Sequence, residues 1–159
     1  MERIIIIGCG GAGKSTLARK LGEVLDLPVV HLDKLFWKPG WVEMEREEFD
    51  ALLQVELQKE KWIMDGNFNR TLPKRLEYCD AVFYFDVPTI TSLWGITHRT
   101  IKNYGRSRPD MGGNCPERFD PEFVKSKLKY VTDKAVYDYW TKEFPASQRS
   151  NDAGEVITW

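Results

Sequence analysis

Gly8-Cys9-Gly10-Gly11-Ala12-Gly13-Lys14-Ser15 decides the fold. The stretch fits Gly-x-x-x-x-Gly-Lys-Ser/Thr in full, and average residue usage puts a chance match in a chain this long at roughly half a percent. Ile4 to Ile7 precede it as a continuous β-branched run, which suits a strand buried on both faces of a parallel sheet. Residues 15–26 follow with Leu17, Leu21, Val24 and Leu25 at helix spacing. Glycines between such a strand and helix let several backbone N–H groups turn toward one centre, and the helix start adds its positive end, so the segment suits an anion. The expected polyphosphate-binding set is Gly8, Gly10, Gly11, Ala12, Gly13, Lys14, Ser15 and Thr16, with Lys14 reaching the outer phosphates and the Ser15 hydroxyl offered to Mg²⁺.

Beyond this stretch the chain alternates strand and helix patterns. Val29 to Leu32, Trp62 to Met64 and Ala81 to Phe85 read as strands. Residues 44–60 read as an amphipathic helix with Phe49, Leu52, Leu53 and Leu57 as its buried stripe, and residues 72–78 and 90–103 read as further helices. The pattern extends to a helix over 121–141 and a clipped strand at 156–159. Such alternation predicts an α/β fold: βαβ units in a parallel sheet of about five strands, with helices on both faces in three layers. The whole chain, residues 1–159, is expected to be one domain, with residues 105–118 (rich in Gly, Pro, Asn and Asp) as a mobile lid loop.

Composition narrows the classes. Lys plus Arg number 23 and Asp plus Glu 24, so no global charge favours nucleic acid or an acidic membrane. The three cysteines have neither disulfide-framework nor metal-ligand spacing. The four-residue apolar run at the start is too short for a signal peptide, and nothing approaches the roughly 20 apolar residues of a membrane span. A soluble cytoplasmic protein, monomer or homodimer, is expected.

In parallel sheets ligands gather at the carboxyl ends of the strands, where Gly8, Asp33, Asp65 and Asp86 fall. Asp65, ending an apolar strand before Gly66, is the expected Mg²⁺ ligand beside Ser15; the plainer reading is a turn-forming Asp-Gly pair. Asp33 either orients or deprotonates an acceptor hydroxyl or caps the next segment. Asp86 suits a turn, and His31, two residues from Asp33 and on the same side of a strand, suits a structural histidine. Arg99, Lys102, Arg106 and Arg108 crowd beside the loop. They read as a lid whose arginines Arg99, Arg106 and Arg108 neutralise charge developing in phosphoryl transfer, as a solvated basic face, or as a local nucleic-acid patch. Phe36, Trp37 and Trp41 are either an apolar wall for an acceptor ring or packing for the 44–60 helix. Cys9 is either a tolerated small residue or a thiol activated near a helix start.

Asp65-Gly66 with Arg70-Thr71, together with Asp86-Val87-Pro88 and the phosphate loop, resembles the adenylate-kinase-like branch of P-loop kinases. Those carry Asp-Gly-Phe-Pro-Arg-Thr, one residue shorter than the stretch from Asp65 to Thr71 here. Separated blocks over residues 1–125 are similar to the DNA topology modulation proteins (FlaR-like). They are the glycine loop, His31 to Trp41, Asp65-Gly66-Asn67, Arg106 to Met111 and Cys115 to Asp120. The resemblance implies a five-stranded parallel sheet in the order 2-3-1-4-5 and ATP binding. The resulting expectation is an ATP- and Mg²⁺-dependent phosphotransferase acting on an unidentified small-molecule acceptor. The alternatives are a nucleotide-dependent regulator affecting DNA topology and a slow ATPase switch.

Overall fold

A computed structural model describes residues 1–85, 87–119 and 121–122. Its main sheet has four parallel strands: β1 (Arg3–Gly8), β2 (Val29–His31), β5 (Trp62–Asp65) and β6 (Ala81–Phe85). They lie in the spatial order β2-β5-β1-β6. Counting parallel strands along the chain, this is 2-3-1-4, the first four places of the expected order. The expected fifth strand, Asp86 and nearly all of the 121–141 helix lie outside the described residues. β1 is central, with Ile6 in register with Asp65 on one side and with Phe83 on the other.

Alternation along β1 divides the core. Ile5 and Ile7 join Phe49, Leu53 and Leu57 of α3 (Arg46–Leu57) on one face. Ile4 and Ile6 join Ala18 of α1 (Lys14–Leu25) on the other. All four isoleucines are fully buried, which is why the run has no polar alternation. Helices therefore cover both faces of the sheet.

The helix stripes are narrower than the periodicity suggests. In α1 Leu17, Ala18 and Leu21 pack inward, and Gly22 brings the helix close to Val29, where a Cβ would stand 2.5 Å from a valine methyl. Val24 turns away from that stripe and is 80% exposed. In α3 Leu52 also faces outward, while Phe49, Leu53 and Leu57 are buried.

The largest departure concerns residues 32–43. The second strand stops at His31, and the chain turns at once into α2 (Leu32–Phe36). A small antiparallel hairpin follows, β3 (Trp37–Lys38) and β4 (Val42–Glu43), turning through Gly40 (φ +79°) and Trp41 (φ +65°). A 3-10 turn (Asn69–Thr71) then leads into α4 (Leu72–Leu76), and α5 (Thr89–Asn103) follows β6. Among the described residues no helix is long and apolar enough to cross a membrane.

Candidate active site

The glycine loop leaves β1 at Gly8 (φ +136°) and turns through Gly11 (φ +82°) and Gly13 (φ +95°), left-handed conformations that glycine adopts without strain. α1 begins at Lys14, and no side chain caps its first amides, so a bound anion can satisfy them. Lys14 Nζ donates to the Cys9 carbonyl at 2.9 Å, folding the lysine back over the loop. α5 crosses the loop in backbone contact. A Cβ at Gly11 would collide with the Ser92 carbonyl, and one at Gly95 with the Gly11 carbonyl. Cys9 is buried.

At the end of β5 the chain is fastened from three sides. Gly8 N donates to Asn67 Oδ1 at 3.0 Å, tying the phosphate loop to the neighbouring strand end. Arg75 is fully buried, donating from Nη1 to the Gly66 carbonyl at 2.9 Å and from Nη2 to the carbonyls of Asn67 and Phe68. Burial pushes the Arg75 pKa down to about 10. His31 Nδ1 lies 2.8 Å from Asp65 Oδ2, the two residues being register partners across β2 and β5. Asp65 is 5% exposed, and its other oxygen, Oδ1, is buried with no hydrogen-bond partner. An orphaned buried carboxylate oxygen is costly, and it fits a hard divalent cation. Among the described residues no cluster of three His, Cys, Asp or Glu side chains could hold a metal alone. A Mg²⁺ ion here would take its remaining ligands from water and phosphate, as that ion commonly does.

The segment 105–118 is pinned at both ends. At its stem Gly105 N donates to the Glu117 carbonyl and Glu117 N to the Arg106 carbonyl. At its tip it docks on the β3–β4 hairpin. Gly40 N donates to the Asn114 carbonyl, Trp41 Nε1 to the Pro116 carbonyl at 3.0 Å, and Cys115 Sγ to the Lys38 carbonyl. Beneath the stem Glu117 is 5% exposed and meets two guanidinium groups, with Oε1 at 3.3 Å from Arg99 Nε and 2.5 Å from Arg108 Nε. Neither contact has hydrogen-bond alignment, so the attraction is coulombic. Arg108 Nη1 also donates to Asp110 Oδ2 at 2.8 Å. Burial, then the adjacent Arg108, holds the Arg99 pKa below the ordinary guanidinium value.

These elements enclose one cleft of about 860 Å³. Gly10, Gly11, Gly13, Lys14, Ser15 and Thr16 line it, as do Asp33, Asp65, Arg99 and Arg108. Gly8 and Ala12 do not; Gly8 is engaged with Asn67 instead. Arg106 is exposed on the stem and does not line the cleft. Asp33 sits in the first turn of α2, not on a strand, so it does not share a strand face with His31. Arg70 is drawn off by Asp50 in a two-point ion pair of 2.7 and 2.8 Å. Asn67, Arg75 and Glu117 carry structure at the site that sequence reasoning passed over. Asn67 and Glu117 lie within the recognised blocks; Arg75 has no local signature.

No protein-family model matches the chain, and no curated protein sequence matches it. Solved structures do. A shikimate kinase from Bacteroides thetaiotaomicron aligns with a TM-score of 0.55 and 19% identity over 89% of this chain and 82% of that one. A gluconokinase from Sinorhizobium meliloti 1021 aligns with a TM-score of 0.52 and 13% identity over 99% of this chain and 82% of that one. A shikimate kinase from Aquifex aeolicus gives 0.51 and 17% identity over 86% and 82%. The fold is that of the small P-loop kinases. Within the P-loop kinase fold the cleft occupies the carboxyl ends of β1, β2 and β5, where such sheets take ligands.

Proposed function

We propose that the chain is an ATP- and Mg²⁺-dependent phosphotransferase that acts on a small-molecule hydroxyl. One observation carries this reading. The uncapped start of α1, the buried carboxylate of Asp65 with its orphaned oxygen, and the Arg99–Arg108 pair open on the same cleft. The loop amides and Lys14 hold the phosphates, and Ser15 and Asp65 hold the metal. When bound, Mg²⁺ neutralises charge on the β- and γ-phosphates. Asp33 faces the acceptor hydroxyl, and Arg99 and Arg108 face the transferred group, where a preorganised cation is worth roughly 10²–10³ in rate. We place the protein in the cytoplasm; its three cysteines are unbridged.

The blocks shared with the DNA topology modulation proteins support kinship with them. A direct role on DNA would draw on Arg99, Lys102, Arg106 and Arg108. Two of these are ion-paired with Glu117 inside the cleft, which weighs against a basic patch built for phosphate backbones.

The test follows ADP formation from Mg-ATP with a panel of hydroxyl compounds that includes gluconate and shikimate, the acceptors named by the structural neighbours. Acceptor-dependent ADP release that disappears in Lys14→Ala supports the reading. Hydrolysis unaffected by every acceptor would favour a simple ATPase.

A further inference from the structure

The charges of the cleft and the commitments of its arginines bear on what is phosphorylated. Six side chains lining it are cationic: Lys14, Arg19, Arg99, Lys102, Arg108 and Arg118. Four are carboxylates: Asp33, Asp65, Asp110 and Glu117. Among the described residues, six cations against four carboxylates leave an excess of two positive charges. A magnesium–nucleoside triphosphate complex is a dianion. Once it is seated, the described residues leave no formal positive charge for a second anion.

Two of the four cleft arginines are also spoken for. Arg108 is held by Asp110 and Glu117, and Arg99 by Glu117. Both carboxylates are buried, so drawing either arginine toward an anionic acceptor strands a buried charge. Arg70 is locked to Asp50 outside the cleft, and Arg75 is fixed on backbone carbonyls beneath it. The acceptor side offers ring surface instead. Phe36, Trp37, Trp41 and Phe68 line it and interlock edge to face. The centroid separations are 5.1 Å for Phe36–Trp37, 5.5 Å for Trp37–Trp41 and 5.2 Å for Phe36–Phe68. The Trp41 indole is further anchored on Pro116, so this wall is preorganised for a flat or cyclic partner.

We propose that the acceptor is an uncharged ring compound bearing a hydroxyl, of the nucleoside or cyclic-sugar kind, seated on the Trp37–Trp41 wall, and that its phosphorylated or carboxylated counterparts are discriminated against. The proposal rests on the phosphotransferase reading. In the step, the acceptor oxygen forms a bond to the γ-phosphorus, and the bond from that phosphorus to the bridging oxygen breaks. Nucleoside diphosphate leaves with the electron pair, and the hydroxyl proton passes to the Asp33 carboxylate.

The experiment uses the full chain loaded with Mg-AMPPNP, with loading measured first by calorimetry. Matched pairs are then titrated by tryptophan fluorescence: adenosine with AMP, thymidine with its monophosphate, glucose with gluconate. A neutral member should bind about tenfold or more tighter than its anionic partner, and Trp41→Ala should lose about tenfold of that affinity, the worth of one stacking contact. Asp110→Asn, which frees Arg108 from one of its two acids, should narrow the gap between partners even if Trp41→Ala does not fold. An anionic member binding more tightly than its neutral partner overturns the proposal. So does a loaded protein that takes up no neutral ring compound at millimolar concentration. Failure to load Mg-AMPPNP overturns the phosphotransferase reading and this inference with it.

Discussion

His31 Nδ1 stands 2.8 Å from Asp65 Oδ2, and the pairing leaves Asp65 Oδ1 as the free, buried edge of the carboxylate. The histidine thereby fixes which oxygen of the carboxylate is already partnered. His31→Ala should weaken the apparent Mg²⁺ affinity of the nucleotide complex by roughly 10–100-fold, the usual cost of losing a partner that orients a metal ligand. Metal-free nucleotide binding should change little. His31→Asn, whose side-chain amide can donate to the same oxygen, should restore part of the loss. Magnesium titrations at fixed ATP check all three.

Gly11 and Gly95 bring the phosphate loop and α5 into backbone contact. Gly95→Val forces them apart. Overpacking of this sort costs about 1–3 kcal/mol, and displacement of the loop should also reduce Mg-ATP affinity more than tenfold. Thermal melts with and without nucleotide separate the two effects. The variant should melt lower and gain less from added Mg-ATP than the wild-type protein.

Burial raises the Cys79 thiol from 9.0 to about 11. The folded protein therefore keeps a proton that the unfolded chain releases. The associated stability is fully present below pH 9 and is lost as pH rises through about 11. The loss is on the order of 2 kcal/mol. Urea unfolding at pH 8 and pH 10.5 should show Cys79→Ala with a shallower alkaline decline than the wild-type chain.

Glu117 holds Arg99 and Arg108 together under the 105–118 stem. In Glu117→Gln two cations face each other with Asp110 still paired to Arg108, and removing one member of a buried ion cluster costs about 3–5 kcal/mol. The chain should be less stable by that order in urea. Limited proteolysis should cut first within residues 105–118, whose stem bonds Glu117 supplies through its backbone.

The central sheet was legible because its signals are local. The isoleucine run, the glycine loop and the apolar stretches before Asp65 and Phe85 each carry their own pattern, and the strands fell within a residue of expectation. Asp65 was read from its place at a strand end and Lys14 and Ser15 from the glycine motif, and all three line the cleft. The α2 turn was not legible. His31-Leu32-Asp33 reads as strand by pattern, yet Asp33, Lys34 and Leu35 favour a helical turn once Leu32 plugs the core beneath Gly66. The partners of Arg70 and Arg75 were not legible either. The residue inside the recognised motif pairs with a surface acid, and the one after it is buried on carbonyls. Partnerships of that kind depend on tertiary placement, as does the union of Glu117 with Arg99 across 18 positions of sequence.

Phosphoryl transfer here requires the cleft between residues 10–16 and Asp65 to take up a magnesium nucleotide. Calorimetry of Mg-ATP into folded protein tests this most directly. Saturable one-site uptake is expected, reduced at least tenfold in Lys14→Ala and stripped of its magnesium dependence in Asp65→Asn. Folded protein that takes up no magnesium nucleotide at millimolar concentration, or takes it up equally well in both variants, would contradict it.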